Sequence, residues 1–205
     1  RAGGCVASNT ILRQNQAHPP ALFDKSTRMS ECQWNVSVSF HIPVEWTSGV
    51  YVAVLNAVDW SASVLHNQPK WIQSNVIHFV VRESDDIDMT SDVLLQSSTS
   101  THNAYNAWAN DDQMTRNIYN NPNYGARRAY AASFKRPNLY VSMWHNQFFQ
   151  SELHIIRFME REKYSVSYVT NIDIHLHGER ILKQHKIWIS MGHDEYWSLE
   201  MRNHI

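Results

Sequence analysis

Lys186-Ile187-Trp188-Ile189-Ser190, then Gly192-His193-Asp194-Glu195-Tyr196-Trp197, then Ser198-Leu199-Glu200-Met201 read in order as an apolar strand, a polar loop and the start of a helix. Working backwards, Gly178 to Gln184 reads as a short helix and Ser165 to Val169 as the strand before it. Trp144 to Lys163 sets Phe148, Phe149, Leu153, Ile156 and Met159 on one face at helical spacing. Asp92-Val93-Leu94-Leu95-Gln96 is a short apolar run, the pattern of a strand buried on both faces. The order strand, long loop, helix, strand, helix, strand, helix predicts an α/β domain with a parallel sheet and crossover helices.

The region before this alternation reads as β. Gln33 to His41 alternates polar and apolar, with Trp34, Val36, Val38 and Phe40 on one face. Val50 to Leu55 follows the turn signal Thr47-Ser48-Gly49, and Val76 to Arg82 makes a third candidate strand. Three short strands separated by turns suggest part of a β-sandwich. Glu83 to Asp92 carries five carboxylates and reads as a solvated linker. The expected organisation is therefore a partial β-sandwich-like domain over 1–85 and an α/β domain over 86–205.

Composition narrows the function classes. The 205 residues are 43% hydrophobic, enough for a sizeable core, and 18 Lys+Arg against 19 Asp+Glu give a net charge of -1. That balance removes the electrostatic reason to expect nucleic acid or an anionic membrane as partner. No apolar run approaches the ~20 residues a membrane-spanning helix needs, so a soluble, packed protein is expected, with no visible targeting segment and its compartment open. Cys5 and Cys32 are too few for a disulfide framework, and their spacing leaves their pairing open. The sequon Asn35-Val36-Ser37 is too short a pattern to decide a compartment. Because Ser198 to Ile205 begins an amphipathic helix and stops inside it, the sequence reads as a piece of something longer.

In open parallel sheets the ligand crevice lies beyond the carboxyl ends of the strands. Two segments meet that condition here, Ser97 to Trp108 and Gly192 to Trp197. The first opens a stretch to Tyr140 that is dense in Asn, Ser and Tyr with little periodicity, and irregular stretches of this length are usually functional. In an extended chain past Ser190, His193 and Glu195 share a face, while Asp194 and Tyr196 point elsewhere. An imidazole beside a carboxylate at a crevice can hold a metal or act as an acid/base pair. The bland alternative is that Asp194 or Ser198 caps the coming helix and His193 and Glu195 satisfy backbone groups. His-Glu-x-x-His, Gly-x-Ser-x-Gly and Gly-x-Gly-x-x-Gly motifs are absent, so zincin, serine-hydrolase and dinucleotide readings have no support. His175 and His177 read as surface or subunit-contact residues.

Thr101-His102-Asn103-Ala104-Tyr105-Asn106-Ala107-Trp108, Ser133-Phe134-Lys135-Arg136-Pro137, Phe158-Met159-Glu160-Arg161-Glu162, Tyr168-Val169-Thr170-Asn171-Ile172-Asp173 and Lys186 to Ser198 occur in that order. The set resembles the large (beta) subunit family of N,N-dimethylformamidase, through its C-terminal catalytic region, over about residues 90 to 205. Trp46 to Tyr51 is similar, more loosely, to the end of that family's preceding β-domain. The resemblance implies a mononuclear iron amidohydrolase that cleaves the C–N bond of a small N-substituted formamide to formate and an amine. It implies a glutamine-amidotransferase or flavodoxin-like sheet, and Fe(III) held by two tyrosine phenolates and a glutamate with a histidine nearby. Glu195 matches the glutamate and His193 the histidine. Tyr105 is the choice for one phenolate; Tyr119 is preferred over Tyr140 for the other, although the segment around Tyr119 departs from the family's usual glycine-containing version. His102, Asn103, Asn106 and Asp194 are expected to orient these ligands. Partners implied are a small amide substrate and other subunits or further copies of the chain. The rival expectation is a non-catalytic binding or structural protein that kept the fold.

Overall fold

The computed structural model describes residues 20–36, 38–59, 70–84, 91–106, 108, 117–119, 128–138 and 148–205. Cys5 and Tyr140 lie outside the described residues; Cys32 is buried. Three sheets are present among them. Strands β1 (Leu22–Asp24) and β2 (Met29–Glu31) form a small antiparallel hairpin. Asp24 organises its turn, accepting hydrogen bonds from the Ser26 amide and the Ser26 and Thr27 hydroxyls at 2.7–3.0 Å. Strands β3 (Gly49–Asp59) and β4 (Lys70–Val81) pair antiparallel from Gly49 opposite Val81, with a register shift between Ala57 and Val58.

The third sheet is parallel, with β5 (Val93–Ser97) between β6 (Val166–Thr170) and β7 (Ile187–Ser190). Helix α1 (Thr99–Tyr105) follows β5; a π-helical turn (Phe148–Glu152) runs into α2 (Leu153–Arg161) before β6. Helix α3 (Asn171–Lys183) links β6 to β7, and α4 (Leu199–His204) follows β7. The expected mixed α/β class with a parallel sheet and crossover helices is therefore present.

The sequence of β5 explains why it is central. Val93 and Leu95 face one cluster with Phe148, Ile156, Met159, Tyr168 and Met191, while Leu94 faces another with Val169, Ile174, Ile181 and Met201. Both faces of the strand are covered, and all five of its residues are buried, which accounts for a continuous rather than alternating apolar run. Burying Leu94 and Leu95 fully contributes roughly 1.5–3 kcal/mol each. The helical face expected at Phe148, Ile156 and Met159 is buried, with Phe149 and Leu153 half-buried against the same cluster. From the β3–β4 hairpin, Val50 and Val80 pack on it as well, and the Ser48 hydroxyl accepts the Tyr168 amide at 2.9 Å.

Three local expectations are corrected. The described residues of Gln33 to His41 form no strand, and Trp34, Val36, Val38 and Phe40 are exposed. Alternation supplies a face, but a strand also needs a second strand in register beside it, and no strand ladder includes this segment among the described residues. Helix α3 is kinked at His177, so the short helix expected from Gly178 is only its second part; a first part runs from Asn171, started by a capping box in which the Thr170 side chain accepts the Asp173 amide and the Asp173 carboxylate accepts the Thr170 amide at 2.8 Å. The stretch after Ser97, expected to be irregular, opens with α1.

Candidate functional site

The site is built where β5 and β7 end. Beyond β5, the carboxyl group of Glu152 sits fully buried at the entry to α1. It accepts the Ser97 hydroxyl and the Ser98 amide, both at 2.7 Å, and His102 Nε2 lies 2.9 Å from it. This satisfies a backbone N–H that a helix start leaves without an intrahelical partner. Helix α1 then carries Thr101, fully buried, and Tyr105 one turn later.

Beyond β7, the chain turns at Gly192, whose φ is +64° and where a Cβ would lie 2.5 Å from Ser151 Oγ and 3.2 Å from Glu152 Cγ. Only glycine fits that conformation and that gap. Asp194 points back to the sheet, accepting from Gln96 Nε2 at 2.7 Å, Ser190 Oγ at 2.6 Å and Asn171 Nδ2 at 3.1 Å. On α1, the Thr101 hydroxyl oxygen accepts the amides of Glu195 and Tyr196 at 2.8 and 3.3 Å, which ties the loop to the helix bearing Tyr105. Ser198 caps α4, its hydroxyl accepting the Met201 amide.

With the loop held at both points, His193 and Glu195 share a side, as expected, and three residues converge on one atom of Glu195. Glu195 Oε2 accepts the Tyr105 hydroxyl at 3.0 Å and the Tyr119 hydroxyl at 2.8 Å, and His193 Nε2 lies 3.3 Å away. The rings of Tyr105 and Tyr119 are 4.4 Å apart, and those of Tyr105 and His193 5.6 Å. Tyr196, expected to point elsewhere, joins this cluster: its hydroxyl donates to that of Tyr119. Side chains of His193 and Glu195 are 49% and 42% exposed, so the cluster opens to solvent.

Burial is the first cause that raises both phenols above their usual 10. The hydrogen bond to Glu195 adds to it at Tyr105; bonds with Tyr105, Tyr196 and Glu195 add to it, more strongly, at Tyr119. Both are therefore neutral donors, and that is why one carboxylate oxygen can serve the two of them. A cation at this point would take the place of their protons. Among the described residues no group of three His, Cys, Asp or Glu side chains gathers for a metal, so a metal here would depend on the phenols.

The residues expected to orient the site act at one remove. His102 meets Glu152 and the ring of His78. The Asn103 carbonyl and side-chain oxygens both accept Arg136 Nη2 at 2.9 Å; Asn106 Nδ2 donates to the Pro137 carbonyl at 2.9 Å. These bonds hold residues 132–137 against α1. Arg136 is half-buried there, and its partial desolvation lowers its pKa to about 10. His175 is half-buried against α4, its Nδ1 at 2.8 Å from Ser198 Oγ, and His177 is exposed. Sequence reasoning missed Thr101, Glu152, Gln96, Asn171 and Tyr196. Thr101, Asn171 and Tyr196 stand in motifs quoted for other residues, and nothing in the helical pattern around Glu152 distinguishes it from a surface acid.

His78 supports this region from β4, stacked 4.8 Å from Phe148 and edge-on to His102. Burial, and then the neighbouring His102, lower its pKa from 6.5 to about 4, against an opposing pull from Glu152. In the unfolded chain it would take up a proton below about pH 6.5, whereas in the fold it stays neutral to about 4. Stability therefore falls as pH drops through that window, by roughly 3 kcal/mol from this residue. In urea titrations between about pH 7 and pH 4, His78→Phe is expected to show a shallower acid loss than wild type. Equal losses would remove His78 as the cause.

A family model described as N,N-dimethylformamidase beta subunit-like, C-terminal, matches residues 3–205 of the chain. No curated protein matches it.

Proposed function

Because the chain belongs to the N,N-dimethylformamidase beta subunit-like, C-terminal family, we propose that it is an iron-dependent amidohydrolase acting on a small N-substituted formamide. The observation that carries this reading is the convergence of Tyr105, Tyr119 and His193 on Glu195 Oε2. The donor set fits ferric iron: two phenol oxygens and a carboxylate are hard anionic ligands once ionised, and they favour a hard cation over zinc, which prefers nitrogen and sulfur. Tyr105, Tyr119 and Glu195 would hold the ion. Bound there, ferric iron would supply Lewis acidity toward an amide carbonyl and toward water.

The chain's own residues do the rest. His193, beside Glu195 and open to solvent, is placed to accept a proton from the attacking water and return one to the departing amine. Overall, water adds across the C–N bond to give formate and the amine. Asp194 and Thr101 hold His193 and Glu195 on their loop. On this reading residues 86–205 form the catalytic domain, with a flavodoxin-like sheet whose crevice lies between β5 and β7, and 1–85 form part of a β-sandwich. The exposed apolar residues Trp34, Val36, Phe40 and Val44 favour work within an assembly, in keeping with the family's subunit description.

Iron analysis, a visible spectrum and formate release from N,N-dimethylformamide test the proposal. The expected protein carries one iron per chain, absorbs by phenolate-to-iron charge transfer and releases formate. Since both phenols start neutral, iron uptake releases protons, and affinity weakens as pH falls. A chain that stays colourless and iron-free after incubation with iron salts would sink the reading.

A further inference from the structure

We infer that Tyr196 is a positioning residue that tunes one ligand of this site, Tyr119, through a phenol-to-phenol hydrogen bond; the inference rests on the proposed ferric reading. Three observations support it. The Tyr196 hydroxyl donates to the Tyr119 hydroxyl, and Tyr119 in turn donates to Glu195 Oε2. The two rings meet edge-on, with centroids 6.3 Å apart at 80°, so the contact is made by the hydroxyl tips rather than by stacking. The Tyr196 backbone is fixed independently, its amide held 3.3 Å from Thr101 Oγ1. Tyr196 is thus aimed from the loop that carries Glu195 onto a tyrosine from a separate segment.

The chemistry follows from the direction of the bond. When Tyr119 gives up its proton to serve as a ligand, its oxygen becomes anionic and still accepts from Tyr196. A hydrogen bond to an ionised acceptor is roughly twice as strong as one between neutral groups. It draws electron density from the Tyr119 oxygen, so moving an electron from that phenolate to iron requires more energy. It also pins the orientation of Tyr119, whose segment 117–119 is tied to the chain by the bonds from the Ala129 amide to the Asn117 carbonyl at 2.9 Å and from the Ile118 amide to the Ala104 carbonyl. In this role Tyr196 would act through Tyr119 and would touch neither substrate nor metal.

The experiment compares wild type, Tyr196→Phe, Tyr119→Phe and the double variant, after incubation with iron salt, by iron content and visible spectrum. Tyr196→Phe is expected to keep one iron per chain and to move the charge-transfer band to longer wavelength. A loss of packing alone would not move that band. An unchanged band overturns the inference, and so does a folded Tyr196→Phe protein without iron, which would make Tyr196 a ligand. Should that variant fail to fold, 3-fluorotyrosine at position 196, a stronger donor of nearly the same size, is expected to move the band to shorter wavelength; a band that stays in place overturns the inference. If wild type takes up no iron, the ferric reading has failed on its own. The tuning role falls with it, and the hydroxyl contact is then judged on the metal-free proteins. Removing the Tyr196 hydroxyl should lower the melting temperature less in the Tyr119→Phe background than in wild type, and equal shifts overturn the contact.

Discussion

Glu195→Ala is expected to yield a folded protein with no bound iron, no visible absorption and no formamide hydrolysis. Three side chains of the cluster converge on Glu195: the hydroxyls of Tyr105 and Tyr119 and the imidazole of His193 all meet its Oε2. Without it, two phenols whose pKa values lie above the ordinary range have neither the carboxylate charge nor the common point that would bring a cation to them. Loss of an outer partner of a metal ligand already costs roughly 10–100-fold in affinity, so removing a ligand itself should exceed about 100-fold. The fold should survive, because the side chain is 42% exposed and water can take over the phenol hydrogen bonds. Glu195→Gln, which keeps the size and one acceptor oxygen but not the charge, separates the two effects. Iron retained by the alanine variant at wild-type affinity would place the metal elsewhere.

The largest loss of stability is expected from Glu152→Ala. That carboxyl group is fully buried, and its removal strands the Ser97 hydroxyl, the Ser98 amide and the His102 imidazole in a space water does not reach. Each stranded donor costs about 1–3 kcal/mol, and breaking a buried polar network of this kind typically costs about 3–5 kcal/mol in all. Against a usual domain stability of about 5–15 kcal/mol, that is a large share. Denaturant titration would measure it as a lower midpoint at unchanged slope. Because Glu152 also sets the first turn of α1, partial unfolding should be felt at Tyr105, and Glu152→Gln should lose much less. A change under about 1 kcal/mol in the alanine variant would mean that the site relaxes around the loss.

What could be read from the sequence divides along physical lines. The three parallel strands and the helix over Phe148 to Met159 were legible because burial on both faces, or on one helical stripe, leaves a pattern in a single short window. The sharing of a side by His193 and Glu195 was legible for the same reason, as a local consequence of extended chain. Helix α1 was not, since Ser, Thr and Asn favour caps and turns, and here tertiary bonds from Glu152 and Arg136 override that preference. The start of α3 was missed although Thr170-Asn171-Ile172-Asp173 carries a capping signal. Gln33 to His41 failed in the opposite sense: a clear alternation with no paired strand beside it among the described residues. For Tyr105 and Tyr119 no local pattern was informative. Their candidacy came from resemblance, and their meeting at Glu195 depends on contacts across 90 and 76 positions of chain.

That separation has a consequence for the order in which the protein matures. During synthesis Tyr105 and Tyr119 leave the ribosome long before Glu195, and a nascent chain that has not reached β7 lacks the strand and loop that bring the carboxylate to them. Contacts this distant in sequence close late, after the loop-closure entropy has been met by packing of the sheet. On the proposed ferric reading, metal capture by these three oxygens would be a finishing step, open only to chains that have completed the parallel sheet, and a cell starved of iron would accumulate folded but unloaded protein rather than stalled folding intermediates.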